Sequence, residues 1–140
     1  MLYGMRRGTG RNEIVKAALD CIAYQITDIL EAMEQDSGIK LDRLCVDGGP
    51  TANQYLMQFQ SNLAGLTVMV PDAEEMSGIG AAYLAGIAMG IFTKDKAFDN
   101  LHYFEYHPDM DKNQRERLYC GWKDAVGRVI VQKGDAVCSG

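Results

Sequence analysis

The run Leu44-Cys45-Val46-Asp47-Gly48-Gly49-Pro50-Thr51-Ala52-Asn53 constrains this chain more than any other segment. An apolar stretch ends in Asp-Gly-Gly and helical spacing begins at once, which defines a strand-to-helix turn. Glycine lacks a Cβ, reaches positive φ at little cost and leaves room beside the backbone. The helix N-terminus that follows presents free N–H groups and the positive end of a dipole. A flat ring or a phosphate, and so a nucleotide, suits that geometry. A tight βα turn with no ligand satisfies the same residues.

The elements around this turn follow from periodicity. Ile14, Ala18, Ile22, Ile26, Ile29, Leu30 and Met33 recur at helical spacing, so one long amphipathic helix with that face inward is predicted over 12–33. Ser37-Gly38 stops it. Leu41–Val46 reads as a short buried strand ending at Asp47. Ala52, Leu56, Phe59 and Leu63 predict a second helix with Thr51 as its N-cap and Gly65 at its end. Leu66–Val70 reads as a second strand, stopped by Pro71, and Asp72–Glu75 as a polar link.

A third helix is predicted from Ser77 to Gly90, lined by Gly78, Gly80, Ala81, Ala82, Ala85, Gly86 and Ala88. Each interior glycine costs a helix about 1 kcal/mol relative to alanine, so close helix-to-sheet packing is the expected reason for them. Gly78-x-Gly80 is a poor dinucleotide loop, because Tyr83 replaces the third glycine and no strand leads directly into it. Leu101–Tyr106 reads as a short strand or an extended strap, and Pro108–Asp111 as a turn. Leu118, Trp122, Ala125, Val126, Val129 and Ile130 line a terminal amphipathic helix. The eight methionines read mostly as core filling.

Several function classes are disfavoured. The net charge of −5 and the lack of a basic, aromatic-interleaved patch argue against a nucleic-acid surface. No apolar run is long enough to cross a membrane and the N-terminus has no signal-peptide core. Cys21, Cys45, Cys120 and Cys138 lack C-x-x-C spacing, and His102 and His107 lack metal-ligand spacing. Reduced thiols in a cytoplasm are expected rather than a disulfide framework or a zinc site.

The order helix, strand, Asp-Gly-Gly, helix, strand, small-residue helix carries a resemblance. Arg7-Gly8-Thr9, Ala23-Tyr24-Gln25, Val46-Asp47-Gly48-Gly49, Ala52-Asn53 and Leu56-Met57-Gln58-Phe59-Gln60 are similar to segments of the glycerol kinase family. So are Gly80-Ala81-Ala82-Tyr83-Leu84-Ala85-Gly86 and Leu118-Tyr119-Cys120-Gly121-Trp122-Lys123. These kinases belong with the carbohydrate kinases to the actin, hexokinase and heat-shock ATPase superfamily. Gly-Gly-x-x-Ala-Asn followed by Leu-Met-Gln-Phe-Gln is the specific part, and it favours the glycerol branch over the xylulose and ribulose branches.

The resemblance implies an α/β fold: part of the ribonuclease-H-like (actin-like ATPase) C-terminal lobe, with a C-terminal helical extension. Residues 1–132 would form this partial nucleotide-binding lobe, and 133–140 a disordered tail. It places the adenine nucleotide on Gly48, Gly49 and Asn53. Gly49 would admit the adenosine to the backbone, and the Asn53 amide can donate and accept. Asp47 would either order water near the phosphates or the magnesium, or cap the following helix. ATP and Mg2+ are implied for the intact enzyme, which would move the γ-phosphoryl group to glycerol.

Three residues depart from the family pattern: Cys45 and Val70 stand where Arg is common, and Asn62 where Asp is usual. Family members are also several times longer, with the first phosphate loop, most glycerol contacts and the catalytic Asp upstream of the matching region. Phosphoryl transfer draws on both lobes, so this chain is expected to be inactive alone. A homodimer is expected through the faces the other lobe would cover. A non-catalytic interaction module, or part of a kinase for another sugar or polyol, are the alternatives.

Overall fold

The computed structural model describes residues 2–73, 76–91, 93 and 101–130. Its first element, helix α1 (Arg11–Ser37), begins where the Glu13 carboxylate accepts the Gly10 N–H at 2.8 Å. It ends at Gly38, whose φ of 68° turns the chain out of the helix. Two stripes run along α1. Ala23, Thr27 and Leu30 are buried, while Val15, Ile22, Ile29 and Met33 are exposed. The inward face expected from the sequence is therefore corrected: Ile22, Ile29 and Met33 point away from the core. The helix is apolar on two sides, and periodicity alone does not choose between them.

Strand β1 (Arg43–Cys45) is shorter than the expected 41–46 and none of its residues is buried. It lies at the edge of a three-stranded sheet of order β1-β2-β3, with β2 (Thr67–Pro71) in the centre and β3 (Tyr103–Tyr106) beyond it. An edge strand has one neighbour and loses half its cover. β1 pairs parallel with β2 in the register Leu44 to Val68, and β3 pairs antiparallel with β2 in the register Phe104 to Val70. The segment 101–106, read as strand or strap, thus contributes a strand.

Helix α2 (Gln54–Ala64) packs on α1, β2, β3 and α4 (Lys112–Ile130). Leu56, Met57, Phe59 and Leu63 meet Ala23, Val68 and Val70 in the core. Truncating one of these large side chains to alanine removes about 2–5 kcal/mol. The Tyr24 ring meets Phe59 edge-on and stacks flat on Trp122 of α4, with centroids 5.2 Å apart. Of the expected inward residues of α4, Val129 and Ile130 are exposed.

Polar groups join these elements. The buried Ser61 hydroxyl lies 2.8 Å from the carbonyl oxygens of both Leu66 and Tyr106, fixing the turn after α2 and the end of β3 together. Asn62 Oδ1 accepts the Asp109 N–H at 2.8 Å. Asn62 is buried, so its departure from the family's Asp affects an internal hydrogen bond rather than a surface charge. Gln60 is also buried; its Nε2 reaches Thr27 Oγ1 at 3.4 Å, and its Oε1 has no partner.

Helix α3 (Met76–Ala88) corrects another expectation. Among the described residues only its Gly86 is buried. A Cβ built on Gly78 or Gly80 would meet nothing within 4 Å, so among the described residues no close helix-to-sheet packing accounts for these two glycines. Met5, Met33 and Met89 are exposed, and of the described methionines only Met57 is buried, so methionine is mostly not core filling here. The tail 133–140 lies outside the described residues.

Candidate functional site

β1 and β2 run parallel and end on the same side of the sheet, and the Val46 N–H extends their ladder by bonding to Met69 O at 3.0 Å. Ligands of α/β proteins collect outside the carboxyl ends of such strands. A cleft of about 580 Å³ opens there, between the turn after β1 and the end of β2. That volume is in the range of small-molecule sites.

Asp47, Gly48 and Gly49 form one bank, followed by a single turn of 3-10 helix over Gly49–Ala52. Gly48 has φ 94° and ψ 174°, a region open essentially to glycine alone. Its carbonyl accepts both the Thr51 N–H (3.0 Å) and the Thr51 hydroxyl (2.7 Å), which lock the turn. Gly49 differs: its φ is not positive, and a Cβ there would meet nothing within 4 Å. Gly48 is thus required by the backbone, whereas Gly49 leaves open space on the cleft.

Thr51 does not cap α2. That position belongs to Asn53, whose Oδ1 accepts the Leu56 N–H at 3.1 Å. The 3-10 turn displaces the helix start by two residues, because Pro50 at its beginning lacks an N–H and favours a tight turn. Asn53 keeps its Nδ2 donor and one lone pair of Oδ1, the other being taken by the helix, but it is not among the residues that line the cleft. With Asn53 as the cap of α2 and Gly48 as the cap of the 3-10 turn, Asp47 caps neither. Its exposed carboxylate faces the cleft without a hydrogen-bond partner among the described residues.

The other bank is made of residues that sequence reasoning missed. Val70, Pro71, Asp72 and Ala73 carry the end of β2 along the cleft, and Phe104 and Tyr106 of β3 flank it. The stop at Pro71 was a legible signal for the first four. Nothing in the sequence placed the strand read at 101–106 beside this cleft, because strand pairing brings it there from more than thirty residues away. The Asp72 N–H bonds to His102 O at 2.9 Å and holds the two strands at this point.

The electrostatics of the cleft are one-sided. Asp47 and Asp72 line it, and among the described residues no Lys, Arg or His does. Among the described residues no group of three or more His, Cys, Asp and Glu side chains could hold a metal ion. Asp47 alone could reach one through water, the manner in which Mg2+ is often shared between a carboxylate and nucleotide phosphates. A second cavity, of about 360 Å³, lies between α1, α2 and α4, and an ion pair and a hydrogen bond to Asp20 occupy its α1 side. There Lys16 Nζ lies 2.6 Å from Asp20 Oδ2, and the Tyr55 hydroxyl donates to Asp20 Oδ1 at 2.5 Å.

Residues 1–89 match the FGGY family of carbohydrate kinases, C-terminal domain. The chain is 48% identical over 132 residues to a glycerol kinase of Shewanella sp. (strain ANA-3), covering 91% of this chain and 26% of that protein. It is 46% identical over 131 residues to a glycerol kinase of Thermoanaerobacter sp. (strain X514), again 26% of that protein's length. The fold superposes on the crystal structure of Plasmodium falciparum glycerol kinase with ADP at a TM-score of 0.77 and 34% identity, covering 90% of this chain and 26% of that one. A xylulose kinase from Rhodospirillum rubrum shares the fold at a TM-score of 0.74 and 21% identity. The chain therefore spans about a quarter of the length of the relatives it matches.

Proposed function

The chain belongs to the FGGY family of carbohydrate kinases, within its C-terminal domain, and from that premise we propose that it forms the adenosine-holding part of a glycerol kinase. In the intact enzyme ATP, with Mg2+, would give its γ-phosphoryl group to glycerol. The observation that carries this reading is the cleft beyond the parallel strand ends, bordered by Gly48 and the open Gly49. The glycine backbone admits a nucleoside closely, and Asn53, outside the cleft lining but between its lining residues Ala52 and Gln54, would offer its Nδ2 as a donor. Asp47 would meet the phosphates through bound magnesium and water.

The charge of the cleft decides what this chain recognises by itself. Phosphate normally gains charge-assisted hydrogen bonds from Arg or Lys, and the described residues that line the cleft include neither. Adenosine recognition is what remains. Phosphoryl transfer needs cations and a base around the γ-phosphate, so the chain by itself binds nucleoside without turning over.

Titration of labelled protein with adenosine, ADP and ATP, followed by NMR, tests the assignment. The three should bind within about 1 kcal/mol of one another, less than one charged hydrogen bond contributes. Shifts should centre on residues 47–53. Shifts confined elsewhere, or a strong preference for ATP, would overturn the reading. A coupled ADP-release assay with glycerol should show no turnover above background.

The partner assignment extends to a second copy of the chain. Val15, Ile22, Ile29 and Met33 form an exposed apolar stripe along α1, and such patches favour association. No described helix is long and apolar enough to cross a membrane. Cys21, Cys45 and Cys120 are free thiols, which suits the reducing cytoplasm we assign to the protein.

A further inference from the structure

Phe104 is a large aromatic residue that remains 65% exposed on a sheet strand, yet it faces a cleft rather than open surface. Its register explains the placement. Phe104 lies opposite Val70, whose side chain is buried in the core, so both belong to the face of the sheet that carries α2. At Val70 that face is covered, while at Phe104, one strand further out, the cover gives way to the cleft. The ring therefore borders the volume whose other bank is the Gly48–Gly49 backbone. No described element covers the ring.

We propose that Phe104 is the base-stacking residue of this cleft, determining its preference for a nucleoside over a sugar or a phosphate; the proposal rests on the reading of the cleft as a nucleotide site. Three features of the cleft favour a flat neutral ring there. The space beside Gly49 is open, since a Cβ there would meet nothing within 4 Å. The two carboxylates of Asp47 and Asp72, with no cation among the described lining residues, disfavour an anion. An exposed aromatic face gains from stacking on a purine, a contact that tolerates sequence variation because it uses the π surface alone. Adenine would then lie between the Gly49 backbone and the Phe104 ring.

The test uses the full chain with adenosine and ribose as probes. Wild-type protein should bind adenosine, and its H2 and H8 resonances should move upfield from the ring current of Phe104. Phe104→Ala should weaken adenosine at least about fivefold, the lower end of what one stacked base loses on alanine substitution, and abolish the upfield shift. Phe104→Leu keeps the apolar bulk and should lose the upfield shift too, whereas Phe104→Trp should retain both affinity and shift. Ribose should bind no variant measurably. If adenosine binds at residues 47–53 but Phe104→Ala changes neither affinity nor shift, the stacking role is overturned while the nucleotide site stands. If adenosine does not bind the wild-type chain at all, both are overturned.

Discussion

The Tyr119 hydroxyl on α4 donates to Oδ1 of Asp28 on α1 at 2.6 Å, and Trp122 Nε1 donates to the other oxygen of the same carboxylate at 2.7 Å. One side chain thus anchors the last helix to the first. Lys123 adds an ion pair to Glu31 at 2.8 Å, one turn along α1.

Replacing Asp28 by alanine leaves two half-buried donors without an acceptor. The expected loss is about 2 kcal/mol of stability. Urea denaturation followed through Trp122, the only tryptophan, measures it. The pH dependence follows from the same contact. Burial, then the hydrogen bond to Asp28 and the charges of Asp28 and Glu31, push the Tyr119 phenol far above the usual tyrosine range. The fold favours the protonated phenol, so this contribution is complete below the unfolded pKa of about 10 and is lost as pH rises above it. Stability should fall above about pH 10, and Tyr119→Phe should make that decline shallower. Tyr24 and Tyr55, also raised by burial, should sustain the remainder.

The two glycines of the turn should respond differently to substitution. Gly48→Ala forces a side chain into a region open to glycine, at a cost of about 1–3 kcal/mol. Gly49→Val meets open space and should change stability by less than about 0.5 kcal/mol, while filling the cleft. Thermal melts of both variants, with adenosine titrations, separate the effects. Unweakened adenosine binding by a folded Gly49→Val protein would place the site elsewhere.

Asn53 carries two roles that alanine cannot separate. Asn53→Ala removes the α2 cap and should cost about 1 kcal/mol of stability, whatever happens to binding. Asn53→Asp keeps the cap and adds a favourable charge at the helix start, but removes the Nδ2 donor. Its melting temperature should match wild type or exceed it, and adenosine should bind about fivefold more weakly, the equivalent of one neutral hydrogen bond. Wild-type affinity in Asn53→Asp would leave Asn53 as a cap alone.

Self-association has its own probe. Ile29 is 59% exposed at the middle of the α1 stripe. Ile29→Glu places a charge there without touching the core residues Ala23, Thr27 and Leu30. Sedimentation velocity should show wild-type protein as a dimer or larger and the variant as a monomer. A wild-type monomer at high concentration would refute the interface.

Residue spacing along the chain was enough to identify the strand-turn-helix unit, the order of the elements and the turn at Gly48, because glycine placement and periodicity are local properties. The same locality explains the errors. Asn53 rather than Thr51 caps α2 because a 3-10 turn intervenes, and both residues have capping side chains. The inner face of α1 was misassigned because that helix is apolar on two sides, and the packing of α2 selects Ala23, Thr27 and Leu30. The small residues of α3 suggested a close neighbour that no described element provides. Above all, half of the cleft comes from pairing. Phe104 reaches the glycine turn because β3 adds antiparallel to β2 in a register that sets it opposite Val70. Such a juxtaposition depends on which strands meet and at what offset, a choice made by the burial of Val68 and Val70 beneath α2, and no local pattern of residues contains it.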